Sequence, residues 1–249
     1  MSRPLQGKSA VVTGGAGGIG SAVSRALAAS GVSVLVAYNK NENRARSLVE
    51  ELPGDTHITQ QVSIENGDSL LRLAEVVAER FQGLDLLVNN AATSRFIPHD
   101  NLDALDDALF DRILKINVRG AFACVRALKS MLEVGEGGLV VNMSSIAASN
   151  GMGSNVAYCA SKSGLDSLTR SLGRALAPKI RVVSVAPGVV ETPWIRGFDQ
   201  EWQDRQMQRT PLQKFARPED IADAVIAVAA NLRATTGSII NVDGGRLLG

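Results

Sequence analysis

Tyr158 and Lys162 stand four residues apart at the start of YCASKSGLDSLTRSLGRALA, a segment whose apolar residues recur with helical period. Residues at i and i+4 share one helix face, so the phenol and the ammonium project to the same side. A free phenol titrates at about 10 and is a poor acid or base at neutral pH, but a cation held nearby favours the phenolate and brings it toward working range. Ser145 ends the apolar run GLVVNMSS and enters a loop rich in Gly, Ser and Asn. A hydroxyl at the carboxyl end of a strand in an open α/β sheet sits where such folds bind ligands. The three side chains make a candidate site in which Ser145 donates to a substrate oxygen while Tyr158 exchanges a proton.

The elements that must position them alternate along the chain. SAVVT precedes a helix from about Gly18 to Ala29, and VSVLVAY precedes one from about Asn41 to Glu51. A short strand at 57–62 is followed by a helix over about 65–81, and LDLLVNN by a long helix from about Asp106 to Leu132. After the strand GLVVNMS come the Tyr158 helix and IRVVSVA. An irregular stretch over 187–211 then leads to a helix beginning RPEDIADAV and a last strand, SIINV. Near-continuous apolar strands separated by helices predict an α/β fold, a doubly wound parallel sheet of Rossmann type, seven strands by this count, with helices on both faces. The 249 residues, with 45% apolar and 20% charged, contain no linker that would divide them, so a single domain over 1–249 is expected.

Several classes are disfavoured. A net charge of +1 without a Lys/Arg block gives no footprint for nucleic acid or an anionic membrane. No apolar run approaches a membrane span, and MSRPLQGKSAV lacks the apolar core of a signal peptide, so a cytoplasmic location is expected. Cys124 and Cys159 have no metal or redox spacing, and no metal is expected.

The first strand ends in TGGAGGIG, Thr13 to Gly20, and a helix follows at once. In that context small residues let the backbone approach a pyrophosphate, while the helix N-terminus supplies amide donors; a dinucleotide is the expected ligand. The glycines fit two spacings, Gly15-Gly17-Gly20 and Gly14-Gly18-Gly20, and spacing does not choose between them. The second strand ends in Tyr38, Asn39 and Lys40, where an acidic residue usually holds the ribose of NAD. Lys40, with Arg44, can pair with a 2′-phosphate, so NADP(H) is preferred over the alternative NAD(H).

These residues resemble the classical short-chain dehydrogenases/reductases, and the resemblance covers the whole chain. The family's TGxxxGxG appears as Thr13, Gly14, Gly18 and Gly20, with Ile19 inside it, which selects the second glycine spacing. Its NNAG appears as Asn89, Asn90, Ala91 and Ala92, its helix asparagine as Asn117, its serine as Ser145, its YxxxK as Tyr158 and Lys162. Its PG and following threonine appear as Pro187, Gly188 and Thr192. The resemblance implies a catalytic set of Asn117, Ser145, Tyr158 and Lys162. Tyr158 would be the general acid/base and Lys162 would lower its pKa and hold the nicotinamide ribose, while Asn117 would hold a water in a proton relay. Asn90, Ala91, Pro187, Gly188 and Thr192 would contact the cofactor. Ala92 departs from the usual glycine, and Gln61 stands where many relatives have an aspartate at the adenine. Gly17 stands where many NADP-dependent relatives carry a basic residue.

The chain is also similar to the 3-oxoacyl-carrier-protein reductases of that family, which makes reduction of an acyl thioester the alternative to a small free ketone or alcohol. Glu133 and Glu136, in the loop before the fifth strand, are expected to repel an acidic carrier at the site entrance. A catalytically silent NADP-sensing protein is the remaining alternative, disfavoured by the intact set of four. The 187–211 stretch, with Trp194, Ile195, Phe198 and Trp202, reads as a mobile lid, and Met152 and Trp194 are the expected substrate contacts. Arg95 and His99 are further candidates for meeting a polar group. Family likeness implies a homotetramer packed through the Asp106–Leu132 and Tyr158–Ala177 helices.

Overall fold

The computed structural model describes residues 5–193 and 195–248. The chain runs β1 (Ser9–Thr13), α1 (Gly18–Ala29), β2 (Ser33–Tyr38), α2 (Glu42–Glu51), β3 (Ile58–Gln61), α3 (Gly67–Phe81) and β4 (Leu86–Asn89). It continues through α4 (Asp107–Leu114), a π-helical turn (Lys115–Gly120), α5 (Ala121–Leu132), β5 (Gly138–Met143), α6 (Ala147–Asn150) and α7 (Val156–Ala175). The last part comprises β6 (Ile180–Pro187), α8 (Gln200–Gln208), α9 (Pro218–Ala230) and β7 (Ile239–Val242). All seven strands are parallel, in the order β3-β2-β1-β4-β5-β6-β7, as the alternation of elements requires.

The central strands are buried on both sides because successive residues face different helix layers. Val12 joins Val36, Val88 and Val141 in a core with α1 and α9, whereas Val11 joins Leu35, Leu87 and Val140 in the core with α3 and α5. Leu27 and Ile221 fill the first layer and Leu73 and Leu128 the second, all four fully buried. Truncating one of these leucines to alanine costs roughly 2–5 kcal/mol.

Helix starts follow local chemistry. Asn41, Asn66, Asp106, Asn155 and Asp199 each accept a hydrogen bond from an amide three residues on, capping α2, α3, α4, α7 and α8. The expected helices from Asn41 and 65 therefore begin one or two residues later, after their caps. The long helix expected over 106–132 is one rod, but its middle is a π turn that widens the coil at Asn117.

β1 and β4 are tied where they end. The Thr13 hydroxyl donates to Val88 O (3.3 Å) and accepts from the amides of Asn90 and Ala91 (3.0 Å each). The Asn90 amide returns to Thr13 O (3.0 Å) and Gly14 O (3.1 Å). Gly14 has φ of 61°, and a Cβ on Gly20 would stand 2.3 Å from Gly14 O and 2.7 Å from Asn90 Nδ2. The turn therefore admits no side chain there. Gly20→Ala is expected to lower stability by about 1–3 kcal/mol in urea denaturation, and an unchanged midpoint would contradict this packing.

Candidate active site

Lys162 lies on the buried face of α7 and is 3% exposed. Its ammonium donates to Met143 O at 2.7 Å, the last carbonyl of β5. Burial lowers its pKa to about 8, and Asp166, one turn further along α7, opposes the shift. The Tyr158 ring lies on the same face, its centroid 5.6 Å from the ammonium. Burial pushes the phenol above its ordinary range, and a hydrogen bond with Ser145 pulls the other way. Desolvation is the larger of these effects, so the phenol holds its proton at neutral pH.

Asn155 fixes the start of α7. Its Oδ1 accepts from the Tyr158 amide (2.7 Å), while its Nδ2 donates to Arg95 O (2.7 Å) and Ser94 Oγ (3.2 Å). One buried amide thus joins Tyr158 to the loop after β4. Asn117 does similar work from the π turn: Oδ1 accepts from the Thr93 amide (2.8 Å), and Nδ2 donates to Thr93 O and Ser161 Oγ (3.0 Å each). Ser161 donates in turn to Tyr158 O (2.7 Å). Below the site, Asn89, Asn142, Thr169 and Ser184 form a buried hydrogen-bonded chain across β4, β5, α7 and β6. Sequence reasoning missed Asn155, although an Asn before an apolar helix is a capping signal, and it missed Asp166, whose carboxyl is buried and pushed up in pKa.

These groups open on a cavity of about 720 Å³ at the carboxyl ends of β4, β5 and β6. Ser145, Tyr158, Lys162, Pro187, Gly188 and Thr192 all line it, and Asn90 and Ile19 bring the glycine turn to its wall. Gly188 is forced by space, since a Cβ there would meet Asp243 Cα at 2.9 Å, and Thr192 packs its methyl above Gly18. Gly153 allows its loop to approach the phenol, because a Cβ would stand 2.9 Å from Tyr158 Cδ1.

The expected substrate contacts divide. Met152 lines the cavity and is half exposed; Trp194 lies outside the described residues. His99 reaches the wall with Nε2 3.1 Å from Gly153 O, but Arg95 turns away to Ala104 O at 2.7 Å. α8 brings Trp202 and Gln206 to the cavity wall. Phe198 stacks on Trp202 (centroids 4.3 Å apart) and meets Phe96 edge-on (5.3 Å).

The glycine turn fits a dinucleotide. Gly17 begins α1 with no side-chain cap, and the first turn carries no acidic residue. Its amides are left for an anion, and Gly14, Gly18 and Gly20 leave the backbone bare. At the end of β2, Asn39 and Lys40 are exposed. Nearby Glu42 is held by Arg46 at 2.6 and 2.8 Å, and Tyr38 is hydrogen-bonded to it. Gln61 donates to Asn39 O at 3.0 Å, bracing this edge.

The Lys162 pKa makes a stability prediction. Its folded value, about 8, lies below its ordinary 10.5, so between those limits the unfolded chain binds more protons and stability rises with pH. Lys162→Met removes this dependence. Its stability relative to the parent, measured by urea denaturation from pH 7.5 to 10.5, is expected to fall by an amount on the order of 3 kcal/mol. A difference independent of pH would contradict a desolvated ammonium.

Comparison with known proteins agrees with this arrangement. The family model described as enoyl-(acyl carrier protein) reductase matches residues 14–246. The 3-oxoacyl-[acyl-carrier-protein] reductase of Aquifex aeolicus is 32% identical over 98% of this chain and 99% of its own. A Sinomonas cyclohexanicum protein named cis-4-hydroxycyclohexanecarboxylate dehydrogenase is 34% identical over 98% of both. The crystal structure of a Brucella melitensis short-chain dehydrogenase/reductase of glucose/ribitol dehydrogenase type superposes with a TM-score of 0.91 at 29% identity, covering 99% of each chain. The chain belongs to the short-chain dehydrogenase/reductase family and is a nicotinamide-dependent oxidoreductase acting between a carbonyl and an alcohol.

Proposed function

We propose that Ser145, Tyr158 and Lys162 carry the reaction on a small free ketone or secondary alcohol, with NADP(H) as the cofactor. The observation that carries this is the convergence of the three side chains on one cavity that the glycine turn also reaches. The cofactor supplies or accepts the hydride. Ser145 donates to the substrate oxygen, and Tyr158, protonated at neutral pH because it is desolvated, gives its proton to that oxygen during reduction. Lys162 holds positive charge beneath the phenol and lends that charge to the phenolate as it forms. Asn117, with both amide atoms engaged, acts as the brace between the β4 loop and α7. In oxidation the same groups run in reverse.

Support for NADP(H) comes from the exposed Lys40, just after β2, and Arg44, in the first turn of α2, together with the pairing of Glu42 with Arg46, which reduces the repulsion that carboxylate offers a phosphate. The aromatic cover formed by Phe96, Phe198 and Trp202 suits an apolar, ring-bearing substrate, and a relative is named for a ring-borne alcohol. The acyl-thioester reading keeps one point in its favour, the name of the Aquifex relative. The expected repulsion of an acidic carrier does not hold. Glu133 is paired with Lys129 at 2.6 Å, and Glu136 borders a second cavity at the amino end of β5, the opposite end of the sheet. Cytoplasmic residence fits two free cysteines, Cys124 and Cys159. No described helix is long and apolar enough to cross a membrane. A homotetramer fits the partly exposed Phe122 on α5 and the exposed Leu248, and light scattering after size exclusion measures it.

Tyr158→Phe is expected to keep NADPH binding, followed by fluorescence titration, and to lose about 10²–10⁴-fold in turnover across a panel of ketones, diketones and one acyl thioester. Undiminished turnover removes the acid/base role from Tyr158. Binding of NADPH at least tenfold tighter than NADH is the expected preference, and the reverse order makes Lys40 a surface charge.

A further inference from the structure

Among the described residues, two guanidinium groups line the active-site cavity, and the proton and hydride chemistry uses neither of them. Arg246, on the segment after β7, is 8% exposed, and its side chain donates to Gln206 O and Gln206 Oε1 at 2.6 Å each. Both acceptors are neutral. Arg209, at the C-terminus of α8, is exposed and lines the same wall. Among the described residues, no carboxylate lies within 4.0 Å of either guanidinium. Asp243, the acidic residue nearest Arg246 in sequence, spends its two oxygens on the amides of Gly245 and Leu247.

A buried cation with only neutral partners keeps much of its desolvation cost, and a second cation beside it adds repulsion. Burial and Arg209 together hold the Arg246 guanidinium below its usual pKa range. An anion between the two relieves both costs, and the adjoining Phe96 and Trp202 walls strengthen the attraction by excluding water. Arg246 also anchors the last turn of α8 through Gln206, which keeps Arg209 facing the cavity.

We propose that the stretch of cavity wall between Arg209 and Arg246 is an anion subsite that takes the carboxylate of a ring-bearing substrate whose reacting carbon lies at Tyr158. Arg209 is the mobile, replaceable member of the pair, and Arg246 supplies fixed charge while holding the cover. The assignment rests on the oxidoreductase reading for its reacting end, but it is tested by binding alone.

With the protein saturated with NADP⁺, isothermal titration compares benzoate with methyl benzoate, which has the same ring and no charge. Benzoate is expected to bind at least tenfold more tightly, and its affinity is expected to fall as ionic strength rises, as an ion pair requires. Arg209→Met should weaken benzoate at least fivefold and methyl benzoate less than twofold, and Arg209→Lys should restore most of the loss. Equal affinities for acid and ester, or no binding of either, overturn the subsite while leaving hydride transfer untouched. Equal weakening of both probes by Arg209→Met also overturns it, since that is the signature of a displaced cover.

Discussion

The ammonium of Lys162, buried at the end of β5 and bonded to Met143 O at 2.7 Å, is the interaction on which the rest of the site depends. Burying a lone ammonium costs several kcal/mol even after relaxation, so the fold must supply partners around it. The parallel sheet supplies one by ending β5 where α7 crosses it, and Asp166, one turn along α7, favours the charge from a longer distance. The same burial that lowers the Lys162 pKa raises that of Tyr158, so one dry surface sets the protonation of both groups. At neutral pH the pair is poised as a neutral acid above a cation, the state that reduction of a carbonyl needs.

Precision at that surface comes from amides, not from apolar packing. Asn155 and Asn117 both reach from the helices to the loop after β4, and Ser161 links Asn117 to the Tyr158 carbonyl. The π turn at Lys115–Gly120 offers a physical basis for Asn117: the widened coil alters the side-chain phase at the position where an amide must reach both Thr93 and Ser161. Below them the Asn89–Asn142–Thr169–Ser184 chain holds four elements in register, at a depth where an unpaired polar group would be costly. The same few side chains therefore hold both the fold and the candidate site.

Much of this was legible in the sequence for simple reasons. Strand and helix periods alternate cleanly, so seven parallel strands follow from counting, and the Thr13–Gly20 cluster reads as a bare turn because a strand and a helix flank it, although only the family resemblance singles out Gly14, Gly18 and Gly20. Tyr158 and Lys162 share a face by arithmetic alone. The sign of the phenol shift was not legible, because it depends on how deeply α7 sinks, and burial is a property of the assembled layers. The π turn was hidden because apolar spacing runs on through Lys115–Gly120. Asp166 looks like a solvated charge in sequence but falls on the buried face. Arg246 and Arg209 lie 37 positions apart and meet only when the segment after β7 folds under α8. The Glu133–Glu136 loop was misplaced against the parallel order itself, since a loop that precedes a strand lies at the amino end of the sheet, away from the carboxyl-end site.

The central claim is that this surface exchanges hydride and proton with a carbonyl. The most direct measurement is reduction of a cyclic ketone with nicotinamide cofactor deuterated at C4 on each face in turn, followed by mass spectrometry of the product. The account predicts an alcohol carrying one deuterium on the former carbonyl carbon from one face of the cofactor and none from the other. Tight cofactor binding with no deuterium in any product across the ketone and thioester panel would contradict it, and would leave a protein that holds the dinucleotide without using it.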